Sequence, residues 1–96
     1  PETARCNYYK YVAYLPDGID RGAFKQAMRD DHGVGLSGEV YETPLHVQPV
    51  FAPFAAGALP GSEHACGRHI CLPISAALTD EQVDIVIESL GKVLAR

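Results

Sequence analysis

The proline-punctuated run from Gly38 to Phe51 constrains this chain more than any other stretch. It reads Gly38-Glu39-Val40-Tyr41-Glu42-Thr43-Pro44-Leu45-His46-Val47-Gln48-Pro49-Val50-Phe51. A proline locks its own φ, offers no N–H and pushes the residue before it toward extended geometry. A strand over about 39–42 must therefore end near Thr43, and Leu45-His46 must sit on a fixed bend. Pro49 and Pro53 interrupt the apolar segment that follows, so Val47 to Gly57 is expected to form a short helical turn or irregular coil. His46 is then a titratable side chain held on a rigid bend at a strand end, the placement of a ligand contact. The same bend is compatible with a histidine that caps a loop by hydrogen-bonding to backbone.

The rest of the chain divides into clear elements. Tyr8-Tyr9-Lys10-Tyr11-Val12-Ala13-Tyr14-Leu15 is aromatic and β-branched and stops at the Pro16-Asp17-Gly18 turn signal. Its apolar residues fall on both faces, which predicts a central strand. Asp20 is a suitable N-cap for a helix over about 21–31, with Phe24, Ala27 and Met28 as its apolar stripe and Gly33 as its C-terminal glycine. Leu59-Pro60-Gly61-Ser62 is a second turn, and Ser62 is expected to cap a short helix through about Cys66. His69-Ile70-Cys71-Leu72 reads as a third strand stopped by Pro73. Thr79 and Gln82 form a capping box at the start of a final helix, and Asp80 and Glu81 suit its dipole. Val83, Val86, Ile87, Leu90, Val93 and Leu94 give that helix an apolar stripe. Three strands with helices on one face predict a single α+β domain over residues 1–96, a two-layer sandwich with a mainly antiparallel sheet.

Ninety-six residues suit one domain with a modest core. A net charge of −4 argues against a nucleic-acid partner. No apolar run reaches the ~20 residues that span a bilayer, and the first residues lack the apolar core of a signal peptide. Cys6, Cys66 and Cys71 are few and odd in number, which predicts reduced thiols and a cytoplasmic setting. The chain opens without methionine on polar residues, so a piece of a longer protein is expected.

Other constellations carry less. His64, Cys66, His69 and Cys71 are of the right type for zinc but crowd into eight residues, unlike paired ligands on separated turns, so no metal is expected. Asp30-Asp31-His32 falls at a helix C-terminus, where paired acids are normally solvated. Neither Ser37 nor Ser75 stands in a G-x-S-x-G elbow, and there is no G-x-G-x-x-G or P-loop.

The ordered pieces together resemble the C-terminal small domain of the DegT/DnrJ/EryC1/StrS aminotransferases, which are pyridoxal-phosphate sugar aminotransferases of fold type I. They are Tyr8-Tyr9-Lys10-Tyr11, Ile19-Asp20-Arg21, Gly33-Val34, Pro44-Leu45-His46-Val47-Gln48-Pro49-Val50-Phe51, Leu59-Pro60-Gly61-Ser62-Glu63, Ile70-Cys71-Leu72-Pro73-Ile74 and Leu78-Thr79-Asp80-Glu81-Gln82-Val83. They run in the family's order across nearly the whole chain. Ser62 departs from the alanine usual there. The resemblance implies that a large N-terminal domain, absent from this sequence, carries the Schiff-base lysine and the cofactor cradle; Lys10, Lys25 and Lys92 do not lie in such a context. It implies amino transfer, with glutamate as the expected donor, to a keto sugar nucleotide in a homodimer whose full-length protein holds pyridoxal phosphate. This chain alone would hold no cofactor, contain no catalytic group and be inactive. His46, on the proline-leucine-histidine loop, becomes the first candidate for contact with the sugar nucleotide. Tyr41, on the strand before it, is the second, with packing as its competing role. Apolar surface around Val50, Phe51 and Phe54 is expected to pack on the absent domain or a second subunit. A free-standing α+β binding module and a non-catalytic regulatory relative are the alternative readings.

Overall fold

A computed structural model describes residues 4–5, 7, 9–55 and 57–96. Its elements in chain order are β1 (Tyr11–Tyr14), α1 (Arg21–His32), two 3-10 turns (Leu45–Val47 and Pro49–Phe54), α2 (Pro60–Arg68), β2 (His69–Leu72) and α3 (Asp80–Leu94). The predicted start of the first strand at Tyr8, and Cys6, lie outside the described residues.

The two strands pair antiparallel, with Val12 opposite Cys71 and Ala13 opposite Ile70. Side chains alternate faces along a strand. Ala13, Leu15, Ile70 and Leu72 therefore point to one side, where Phe24 and Met28 of α1 and Val86, Leu90 and Val93 of α3 close over them. This is the α+β arrangement that the periodicities predict, with α1 and α3 as the covering layer.

The sheet is smaller than expected. The predicted strand over 39–42 does not form; just before it, an isolated antiparallel bridge joins Ser37 to Cys71. The reason lies in the hydrogen bonds. The Val40 amide donates to Nε2 of His69 at 3.0 Å, so a side chain and not a backbone ladder holds the segment. The middle position also belongs to β2, not to β1. β2 lies between β1 and the Ser37 bridge, and His69, Ile70 and Cys71 are all buried. β1 is an edge among the described residues, and its Tyr11, Val12 and Tyr14 stay 60, 42 and 62% exposed.

The helix ends follow the local chemistry. Asp20 caps α1 through the Ala23 amide at 2.7 Å, and Gly33 ends it in the left-handed region with φ +67°. Thr79 and Gln82 complete the reciprocal capping box of α3. The second short helix departs from expectation. It begins at Pro60, whose missing N–H costs nothing in a first turn. Ser62 lies inside it, and Glu63 reaches back to accept the Leu59 amide at 3.1 Å. The stripe of α3 is also only partly used. Val86, Leu90 and Val93 pack inward, whereas Val83 and Ile87 remain 41 and 61% exposed.

Met28 is fully buried at the centre of the cluster. Met28→Ala should lower stability by about 2–5 kcal/mol through lost contacts and the cavity left behind. Thr79→Ala should cost about 1 kcal/mol through the lost cap. Urea midpoints of the two variants check both values, and their order should be as given.

Candidate functional site

Three ties hold the segment from Ser37 to Val40 against the sheet. Lys25 Nζ lies 2.8 Å from Glu39 Oε1 and donates to the Ser37 carbonyl at 3.2 Å. Arg21 Nε lies 3.5 Å from the same carboxylate oxygen. Its guanidinium also donates to the carbonyls of Cys66 at 2.5 Å and His69 at 3.2 Å, which fixes the start of α1 to the junction of α2 and β2. His69 supplies the third tie. It is 5% exposed, its Nδ1 lies 2.8 Å from the Ala65 carbonyl, and its Nε2 takes the Val40 amide. A nitrogen that receives an N–H bears no proton itself, so the proton resides on Nδ1, which donates to Ala65.

Beyond this anchor the chain bends at Pro44. The Val47 amide donates to the Pro44 carbonyl at 3.2 Å, and the Gln48 side chain donates to the Thr43 carbonyl at 3.1 Å. The bend turns Leu45 and His46 back over α2. Between them lies a cleft of about 510 Å³. Tyr41, Phe51 and Phe54 give it aromatic walls, Pro44, Leu45 and Leu59 aliphatic ones, and His46 and Ser62 polar edges. Among the described residues no lysine, arginine or aspartate lines it.

Both predicted site residues, His46 and Tyr41, thus line one cleft. The His46 side chain is only 9% exposed, and its Nε2 is buried with no hydrogen-bond partner among the described residues. That nitrogen caps no backbone group. Its nearest charged neighbour is Glu63, with Oε2 at 3.8 Å, beyond hydrogen-bond reach. Two groups escaped the sequence reading. Glu63 entered it only as the end of the Leu59–Glu63 motif, although a glutamate just inside a helix start is a known partner for the cap amide. His69 entered as the first residue of the third strand and as a possible metal ligand, not as the partner of Val40. The apolar surface expected around Val50, Phe51 and Phe54 is exposed, with Phe54 at 82%.

The remaining constellations are dispersed. Both ring nitrogens of His69 are engaged by backbone, Cys71 is buried in the sheet, and His64 faces Arg68 and Asp17. Among the described residues, no three His, Cys, Asp or Glu side chains gather in a metal-binding group. Asp30 faces Arg29 at 3.3 Å and Asp31 faces Arg96 at 2.8 Å, as ordinary ion pairs. No helix among the described residues is long and apolar enough to cross a membrane.

The sequence profile of the DegT/DnrJ/EryC1/StrS aminotransferase family matches residues 1–91. The chain belongs to that family. Members depend on pyridoxal phosphate in general. The residues of this chain do not by themselves make a site for that group. Lys25 is held by Glu39 and the Ser37 carbonyl, Lys92 lies 3.8 Å from Glu88, Lys10 lies over the Tyr9 ring, and none of them lines the cleft. Among curated relatives, GDP-perosamine synthase of Caulobacter vibrioides is 31% identical over 96% of this chain. The pleiotropic regulatory protein of Geobacillus stearothermophilus is 39% identical over 70% of it. The spore coat polysaccharide biosynthesis protein SpsC of Bacillus subtilis is 23% identical over 97%. The chain spans 24, 18 and 25% of the length of these three relatives.

Burial pushes the Glu39 carboxyl up, but the Lys25 hydrogen bond, its own backbone bond and the charges of Lys25 and Arg21 outweigh this and hold it below the usual 4.5. A depressed carboxyl stabilises the fold at pH above its unfolded value and loses that contribution as pH falls through the folded value. Glu39→Gln should therefore unfold more readily than the parent chain at pH 7. The gap should close as the pH falls below 4.5, which a series of denaturant midpoints against pH will read.

Proposed function

We propose that this chain is the small domain of a sugar aminotransferase. The full-length protein moves an amino group from an amino acid, glutamate being the expected donor, to a keto sugar nucleotide. It does so as a cytoplasmic homodimer with pyridoxal phosphate. The electron sink and its lysine reside in the larger remainder of the protein. This chain supplies one wall of the substrate pocket and is inactive alone. The cleft behind the Pro44 bend is that wall, with His46 touching an oxygen of the sugar nucleotide and Tyr41 flanking it.

The observation that carries the reading is the unpartnered Nε2 of His46, buried in an aromatic cleft on a segment of the family's profile. A small domain of this kind contributes orientation and exclusion of water, whereas the cofactor contributes the carbanion chemistry. Two relatives support a sugar substrate by name: one is called a synthase of GDP-perosamine, the other a polysaccharide biosynthesis protein. The exposed Val50 and Phe54 suit burial against the remainder of the protein or the second subunit.

The full-length protein should aminate a nucleotide-linked keto sugar. His46→Ala should raise KM for the sugar nucleotide about tenfold, ~1.4 kcal/mol, and leave the half-reaction with the amino donor unchanged. Separate stopped-flow measurement of the two half-reactions checks this; an equal loss in both would count against a substrate contact. A second reading, a non-catalytic regulator, draws on the relative named as a pleiotropic regulatory protein. It predicts a full-length protein without the visible absorption band of bound pyridoxal phosphate that borohydride bleaches.

A further inference from the structure

The protein leaves a specific gap between two of its own groups. The imidazole of His46 is nine-tenths buried, yet its Nε2 has no partner among the described residues. A buried polar atom left in this state has lost its water without a replacement, so a group that completes it binds with that advantage. Glu63 Oε2 stands 3.8 Å away. The two cannot bond to each other at that distance, but an oxygen about 2.8 Å from each satisfies both. Glu63 is not free to swing away, because the same oxygen accepts the Leu59 amide at the start of α2.

The chemistry of the pair selects the visitor. A carboxylate only accepts, so the bridging atom must donate to Glu63. A hydroxyl donates to Glu63 and, with its lone pairs, accepts from a protonated Nε2. A phosphate oxygen has no proton to give, and its charge is repelled by a carboxylate at such range. Among the described residues no lysine or arginine lines the cleft to offset that repulsion. Tyr41, Phe51 and Phe54, which line the cleft with His46 and with Ser62 beside Glu63, present apolar rings suited to the C–H face of a pyranose.

We propose that His46 and Glu63 form a two-point hydroxyl site for the sugar ring, and that the diphosphate of the nucleotide sugar lies elsewhere. This rests on the sugar-nucleotide reading above and adds to it which part of the substrate the cleft holds and a second residue that holds it.

Calorimetric titration of the full-length protein with a GDP-hexose and a UDP-hexose, and with GDP and UDP alone, tests the assignment. The wild type should bind at least one nucleotide hexose more tightly than the matching diphosphate. Glu63→Gln, which retains an oxygen for the Leu59 amide, should weaken nucleotide-hexose binding about five- to tenfold and leave diphosphate binding unchanged. His46→Gln should do the same, and thermal midpoints within a few degrees of wild type will establish that both variants are folded. Tighter diphosphate binding by Glu63→Gln, or weaker diphosphate binding by His46→Gln, would place the phosphates at this pair and overturn the proposal. Folded variants that bind every probe as the wild type does would overturn it too, while leaving the sugar-nucleotide reading intact. A wild type that binds neither nucleotide hexose would overturn that reading and this site with it.

Discussion

His69 is the joint on which the site depends. It occupies the first position of β2, buried to 5% exposure, and bridges two elements that no backbone ladder connects. Its Nδ1 binds the Ala65 carbonyl near the end of α2, and its Nε2 receives the Val40 amide. A buried imidazole is costly unless both nitrogens are satisfied, so each bond makes the other necessary. The Val40 bond also takes the place of the strand pairing that residues 39–42 would otherwise seek. The segment is thereby held close to the sheet without being flattened into it, and it remains free to bend at Pro44.

That compromise is what opens the cleft. A third strand continued past Val40 would align Tyr41 with the sheet. Held at one amide, the chain instead turns Tyr41, Leu45 and His46 around a space above α2. The ion cluster of Arg21, Lys25 and Glu39 secures the near end of the segment, and the Gln48 bond to Thr43 secures the bend. Rigidity on both sides suits recognition, because a side chain already fixed loses little entropy on binding. The polar inventory of the cleft is small. In the proposed function orientation falls to His46, and the aromatic walls contribute area.

Much of this was legible in the sequence, for physical reasons that differ by element. Asp20, Gly33, Thr79 and Gln82 act within a turn of their own position, and local chemistry determined α1 and α3 as expected. Pro44, Pro49 and Pro53 likewise act locally, and the two 3-10 turns lie where the prolines break the apolar run. What local pattern could not reveal was pairing. Val40-Tyr41 has the composition of a strand, yet its amide went to a side chain 29 residues away. The apolar residues on both faces of β1 suggested a central strand, but Tyr11, Val12 and Tyr14 stay exposed on a strand that is an edge among the described residues. Part of the Val83–Leu94 stripe is uncovered for the same reason: apolar character records that a residue is to be covered, not by which partner. The cleft itself was half legible. His46 and Tyr41 were found from the bend and the family likeness, whereas Glu63, 3.8 Å from the His46 ring, came to it only through the fold.

Selective 15N labelling of the histidines reads the clasp of neutral His69 on Val40. The imidazole of His69 should carry its proton on Nδ1, with a through-bond coupling from the Val40 amide to Nε2 and slow exchange of that amide. A proton on Nε2, or a Val40 amide that exchanges as fast as an open loop, would mean that His69 does not hold this segment.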